Sequence, residues 1–390
     1  MMKTNDKKGI TLIALVITII VLLILAGISI AMLTGNNGIL TQAQKAKTNN
    51  SEAGAKEKIE VEILGSIDKT GKFNKEKFKE NIKKNLNLKD EDIKENERNT
   101  IIVEIDDNSI AIDKDGNIAG INTIVEVNTD TVTQEKIENP SEITYSWQEL
   151  KEIANAISSN NAIGEDTASV IVTKKGESST LTVGDYTTVK YDNTAKKVRI
   201  LGFNTDTKTD GKKAGITFEF LTILSNDRMN MINTNEGGWG ATLLRNKLNS
   251  EEYLNQLEPS VKESIVEVEK QYNLGNMQES NSTNPSKDKL WLLAESEIFN
   301  SGYKEESYGY CNTFEGKQYE YYKILNLQWN LDNDALVKYN SIANTEAKWW
   351  WLRSPIYDWS IAYCGIGETG NTGGLGYAGG EYGVAPGFCI

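Results

Sequence analysis

The 390-residue chain contains no histidine. That absence removes Ser-His-Asp and Cys-His catalytic pairs and any His-ligated zinc. Cysteine is scarce: Cys311, Cys364 and Cys389 are the only three, too few for a disulfide framework. Either Cys364 and Cys389 bridge in an oxidising compartment, or all three are buried thiols. Positive charge is outweighed, with 42 Lys and Arg against 55 Asp and Glu and a formal net charge of −13. An acidic chain without a basic stripe argues against a nucleic-acid partner, because phosphate contacts need clustered cations. The Lys-rich piece Lys72–Lys89 is interleaved with Glu and Asp and reads as a solvated helix face. A phosphate loop of P-loop spacing is also missing. The many carboxylates scatter through loops without defining a paired acid and base. The expectation is a protein that is not an enzyme and uses no metal or cofactor.

Against this polar background stands one charge-free run, the 24 residues from Ile10 to Leu33. As a helix it would be about 36 Å long, enough to cross the roughly 30 Å hydrocarbon core of a bilayer. Lys7-Lys8-Gly9 directly precedes it. A secretory signal places its small-residue cleavage site after the apolar region, whereas here the basic-plus-glycine signal comes before. This arrangement resembles the type IV prepilin family. The resemblance implies a leader over 1–9, cut after Gly9 by a membrane prepilin peptidase. Ile10 would then be the methylated first residue of a retained transmembrane or pilin helix over 10–38, packed with other pilin subunits. Thr11-Leu12-Ile13 fit the family pattern, while Ala14 stands where the family has Glu, which weakens the expectation of filament incorporation. An uncut membrane anchor is the alternative.

The next region, 39–126, reads as a helix followed by a small antiparallel sheet, as the pilin resemblance also implies. Ile59, Ile63 and Ile67 repeat at four-residue spacing, as do Phe78, Ile82 and Leu86. Strands are expected over 100–105, 109–112 and 117–124. Asp113-Lys114-Asp115-Gly116-Asn117 lacks the later glutamate of a calcium loop and reads as a hairpin turn. The polar stretch 127–142 with Pro140 reads as a linker. Ser146 and Glu149 form a capping box that opens a helix with Trp147, Leu150, Ala154 and Ile157 on its apolar face. Strand-like runs follow over 169–173, 187–191, 197–203 and 215–224, then helices near 242–248, 259–268 and 294–300. The fold class expected is α+β: a long N-terminal membrane helix with a small sheet, then a mixed C-terminal domain over 143–390.

That last domain carries a second resemblance. Its residues are Gly215-Ile216-Thr217-Phe218, Arg228-Met229-Asn230, Gly237-Gly238-Trp239, Leu244-Arg245, Asp288–Leu293, Trp350-Trp351-Leu352-Arg353-Ser354-Pro355 and Tyr382–Phe388. Together they resemble an uncharacterised domain family of clostridial surface proteins. More distantly they resemble the formylglycine-generating-enzyme branch of the C-type-lectin-like fold, some of whose members are targets of diversity-generating retroelements. The resemblance implies a ligand-binding surface between the last strands. Ten glycines lie between Gly365 and Gly387, and such stretches tend to run over the surface. Exposed Trp and Tyr there offer large contact area at small entropy cost. The expected ligand contacts are Tyr357, Asp358, Trp359, Tyr363, Glu368, Asn371, Tyr377 and Glu381, with Arg353 in a structural charged hydrogen bond. Trp350, Leu352, Val384 and Phe388 are expected in the core. The function expected is a non-enzymatic adhesin at the cell membrane or pilus, its C-terminal domain extracellular and binding a protein or glycan. The alternative is a structural minor pilin or pseudopilin without a ligand.

Overall fold

A computed structural model describes residues 39–95, 99–174, 177–276, 285–299, 315–327, 331–343, 346–356, 359–371 and 374–390. The chain divides into two compact units, Met1–Ile121 and Asn122–Ile390.

The first unit is organised on helix Ile39–Gly65. Ala55 and Ile59 are buried on it and Ile63 is partly so. Ile67 falls beyond the helix end, where it bridges to Phe73 and is exposed. Asn74 caps helix Lys75–Asn85 by accepting from the Lys77 N–H at 3.0 Å, and Phe78 and Ile82 enter the core. A four-stranded antiparallel sheet covers them, in the order Ile93–Glu95, Ile101–Ile105, Asn108–Ile112 and Ile118–Ile121. Alternation along Ile101–Ile105 turns Ile101, Val103 and Ile105 inward. In the 113–117 turn, Asp113 Oδ1 accepts from the Asp115 and Asn117 N–H groups at 2.9 and 2.8 Å. Gly116 supplies the left-handed residue at φ +86°. The carboxylate is thus engaged by its own backbone.

The second unit starts earlier than the sequence suggested. Strand Thr123–Val127 pairs with Ser169–Lys174, which pairs with Glu177–Thr182. The stretch 127–142, read as a linker, carries helix Gln134–Glu138, whose Ile137 is buried in this unit's core. Helix Trp147–Ser159 has the expected box: Ser146 Oγ accepts from the Glu149 N–H at 3.3 Å, and Glu149 accepts from the Ser146 N–H at 3.0 Å. A four-stranded antiparallel sheet follows the order Gly387–Cys389, Ile216–Phe220, Thr194–Phe203 and Tyr186–Tyr191. Phe218 and Phe388 stack at 5.4 Å, with the Trp147 ring 5.5 Å from Phe218. The C-terminal strand is therefore a core element. The expected helix over 259–268 is confined to Pro259–Lys262, because Val268–Lys270 is drawn into a pairing with Ser286–Asp288.

The third large sheet has five strands, in the order Ser225–Asp227, Tyr382–Val384, Trp350–Pro355, Ala362–Ile366 and Gly374–Tyr377. Trp350–Pro355 runs antiparallel to Ala362–Ile366 and parallel to Tyr382–Val384.

The α+β expectation built on a long apolar N-terminal helix needs correction. The protein is mixed α/β with several small sheets, and among the described residues no helix is long and apolar enough to cross a membrane. Helix Ile39–Gly65 has 27 residues but carries Lys56, Glu57, Lys58 and Glu60 along one stretch, and such charges are costly in hydrocarbon. The leader over 1–9 and the run over 10–38 lie outside the described residues.

Candidate functional site: an exposed aromatic face

The five-stranded sheet is held by tryptophans lying on glycines. A Cβ on Gly376 would sit 2.2 Å from Trp351, and one on Gly365 only 2.0 Å from Trp349. These glycines are buried. Much of the glycine-rich stretch is therefore close-packing ground for indoles, and only its ends reach the surface as loops.

One such end brings together four exposed large apolar side chains. Ala362 pairs with Tyr377 where two adjacent strands finish, so Trp359, just before the first strand, lies next to the end of the second. Trp359 and Tyr377 meet edge to face with ring centroids 5.7 Å apart, yet remain 40% and 47% exposed. A third segment joins them. The Asn230 N–H donates to Ala378 O at 2.9 Å, and Asn233 Oδ1 accepts from the Gly379 N–H at 2.9 Å. Between these anchors Met231 and Ile232 stand 68% and 70% exposed. A single aliphatic residue on a surface is ordinary, whereas four large exposed apolar side chains on neighbouring segments make this a candidate interaction face.

Asn235 fixes this arrangement. It is fully buried, its N–H donates to Ser360 O at 2.8 Å, and its Nδ2 donates to the carbonyls of Ile356, Trp359 and Ala362, each at 3.0 Å. Its Oδ1 accepts from the Asn276 N–H at 2.8 Å. The amide thereby ties the Trp359 loop to the Met231–Ile232 loop through a desolvated hydrogen-bond set. Met231, Ile232 and Asn235 were missed in the sequence. The signal was there, since Met231-Ile232 is an apolar pair inside an Asn- and Thr-rich loop.

The expected contact residues separate into three groups. Trp359, Tyr377 and Glu381 come together, with Glu381 exposed and ion-paired to Arg228. Glu368 and Asn371 lie at the opposite end of the hairpin, beyond the Gly365–Gly374 pairing. There Asn371 Nδ2 donates to Asp332 at 3.3 Å. Tyr363 is a correction: it is fully buried with its ring 6.4 Å from Trp351, because every residue of strand Ala362–Ile366 faces packed structure. Tyr357, Asp358, Gly9 and Ile10 lie outside the described residues. Trp350, Leu352, Val384 and Phe388 are core, as expected.

Two buried charge clusters stand behind the sheets. Arg353 is fully buried and donates to both oxygens of Glu297, at 2.6 and 2.9 Å, and to Leu292 O at 2.8 Å. Lys270 bridges Glu297 and Asp206, each at 2.6 Å. Burial raises the Glu315 carboxyl above its usual range despite Arg353 nearby and the donors Ser354 Oγ and Asn273 N–H. Arg353 and Lys270 are thus packed with the carboxyls of Glu297, Asp206 and Glu315 in one desolvated cluster. In the second cluster Arg199 and Lys338 share the single carboxylate of Glu219. Burial there pulls the Lys338 ammonium down to about 8, against the Glu219 carboxylate, which favours its charged form. Cys389 is a buried thiol outside any disulfide, its pKa pushed well up by burial and by Asp206. That setting opposes thiolate chemistry. The Cys364–Cys389 bridge left open by the sequence is not formed. Among the described residues no group of His, Cys, Asp and Glu could hold a metal ion.

Comparison with curated proteins and with solved structures returns no match. Residues 216–390, which hold the five-stranded sheet and the whole aromatic face, match the model of a family described as a domain of unknown function, DUF6273.

Proposed function

We propose that the protein is a non-enzymatic binding protein displayed at a cell surface, with the face formed by Met231, Ile232, Trp359 and Tyr377 contacting a protein or glycan ligand. The observation that carries this reading is the Trp359–Tyr377 pair, the two exposed large aromatics among the described residues, held rigidly at one end of a sheet. Rigid aromatic anchors supply contact area at low entropic cost. The aliphatic neighbours favour a protein over a glycan, since Met231 and Ile232 offer nothing to sugar hydroxyls and much to an apolar partner surface. Surface display rests on the Lys7-Lys8-Gly9 junction, and a mature N-terminus beginning at Ile10, read by mass spectrometry, is its test.

The decisive experiment compares the full chain with a Trp359→Ala/Tyr377→Ala double variant for adhesion to intact bacterial and host cells. Loss of adhesion in a folded double variant supports the reading. Undiminished adhesion moves the site elsewhere, and self-assembly into filaments without any ligand would favour a structural subunit.

A further inference from the structure

Five cationic side chains described in the second unit are at least nine-tenths buried: Lys196, Arg199, Lys270, Lys338 and Arg353. Four of them touch a buried carboxylate, as Arg199 and Lys338 do Glu219, Lys270 Asp206, and Arg353 Glu297. Lys196 is the exception. It is 7% exposed, and its Nζ donates to Ile223 O at 2.7 Å. No carboxylate among the described residues forms an ion pair with it, and burial alone holds its pKa below the ordinary lysine value. An ammonium has three donors, so two are left for other acceptors. A buried charge without a counter-ion is costly to the fold, and no carboxylate among the described residues compensates this one.

Lys196 lines a cleft of about 210 Å³ together with Tyr191, Ser225, Lys247, Tyr253 and Gln256. The Tyr191 and Tyr253 rings lie 5.3 Å apart, and Tyr253 OH is 3.2 Å from Ser225 Oγ. Lys247 is already neutralised by Asp227. The one carboxylate lining the cleft, Asp192, is exposed and forms no ion pair with Lys196. The volume falls below the roughly 300 Å³ at which drug-sized pockets begin, so the occupant is small. Hydroxyls and an amide around one unpaired ammonium suit a ligand with one negative charge and several hydroxyl groups.

The geometry points to a second binding site in this cleft, for a small hydroxylated carboxylate of sugar-acid size that serves as counter-ion to Lys196. Its residues are not those of the aromatic face, so it stands or falls independently of the proposed function.

Titration of the full chain with D-glucuronate, D-glucose and propionate, followed by saturation-transfer NMR and calorimetry, tests it. Glucuronate is expected to bind, neutral glucose at least tenfold more weakly, and propionate several-fold more weakly for want of hydroxyls. Lys196→Met is expected to weaken glucuronate at least tenfold while folding normally. Should that variant not fold, Tyr253→Phe, which keeps the ring and removes a hydroxyl, is expected to weaken glucuronate several-fold. Absence of glucuronate binding to the native chain would overturn the site. So would equal affinity for glucose, or unchanged glucuronate affinity in the folded Lys196→Met protein (or in Tyr253→Phe where only that variant folds). Propionate binding as tightly as glucuronate would overturn the hydroxyl recognition.

Discussion

The Trp359 and Tyr377 rings meet at 69° with centroids 5.7 Å apart, and each keeps close to half its surface in water. Such an aromatic contact contributes about 0.5–1.5 kcal/mol, whereas an aromatic hot spot in an interface can exceed about 2 kcal/mol. Binding and stability should therefore separate. Trp359→Ala is expected to lower unfolding free energy by about 1 kcal/mol and to weaken partner binding by about 30-fold or more. Denaturant titration and surface plasmon resonance on the same sample would show it, and a loss of stability matching the loss of binding would reduce the pair to a packing contact.

Glu297 serves both Arg353 and Lys270 in a fully buried setting. Glu297→Gln keeps the shape but takes the paired carboxylate from Arg353 and leaves Lys270 with Asp206 alone, at a cost of about 3–5 kcal/mol. Arg353→Lys should fare little better, because an ammonium cannot reproduce the paired contacts to Glu297 along with those to Leu292 O and Gln271 O. Urea midpoints measure both, and a change under about 1 kcal/mol in either variant would refute the structural role of the Arg353–Glu297 pairing.

Lys338 carries the clearest pH signature. Burial holds its folded pKa at about 8, below the ordinary lysine value of 10.5. Between those values the unfolded chain binds more protons at this group, so its contribution to stability rises with pH, by at most about 1.4 kcal/mol per unit. Below the lower value both states are protonated and the contribution is flat. The stability difference between native protein and Lys338→Met should accordingly shift in favour of the native protein from pH 8 to 10. Parallel stability curves would show that the proton is not released there.

Gly376 has Trp351 in the place of a side chain, 2.2 Å from an added Cβ, and Trp351 is itself fully buried. Neither can yield. Gly376→Ala is expected to destabilise by about 1–3 kcal/mol and to displace the adjacent Tyr377, weakening the same binding that Trp359→Ala removes. Gly54→Ala, on an open helix surface with nothing within 4 Å, is the control and should stabilise slightly.

Several elements were legible without coordinates because their signals are local. The Ser146/Glu149 cap, the alternation of Ile101, Val103 and Ile105, and the turn around Gly116 each need only a few neighbouring residues to specify them. The candidate face was half legible. Trp359 and Tyr377 stood out by type, but Tyr363 looked identical and is buried, since strand position and not residue type decides that. The helix expected over 259–268 was shortened by a strand pairing across a long loop, which no local pattern announces.

What the sequence determined by itself is chemical inventory: no imidazole, few thiols, excess acid and an aromatic, glycine-rich end. Those facts hold in any fold. Tertiary structure alone decided which glycines lie beneath indoles, that Asn235 ties two loops into one face, and that Lys196, among the described residues, is a buried cation without a carboxylate partner. The physical reason is that close packing and desolvation are long-range properties. They depend on residues more than a hundred positions apart, such as Asn235 and Trp359, meeting at hydrogen-bond distance.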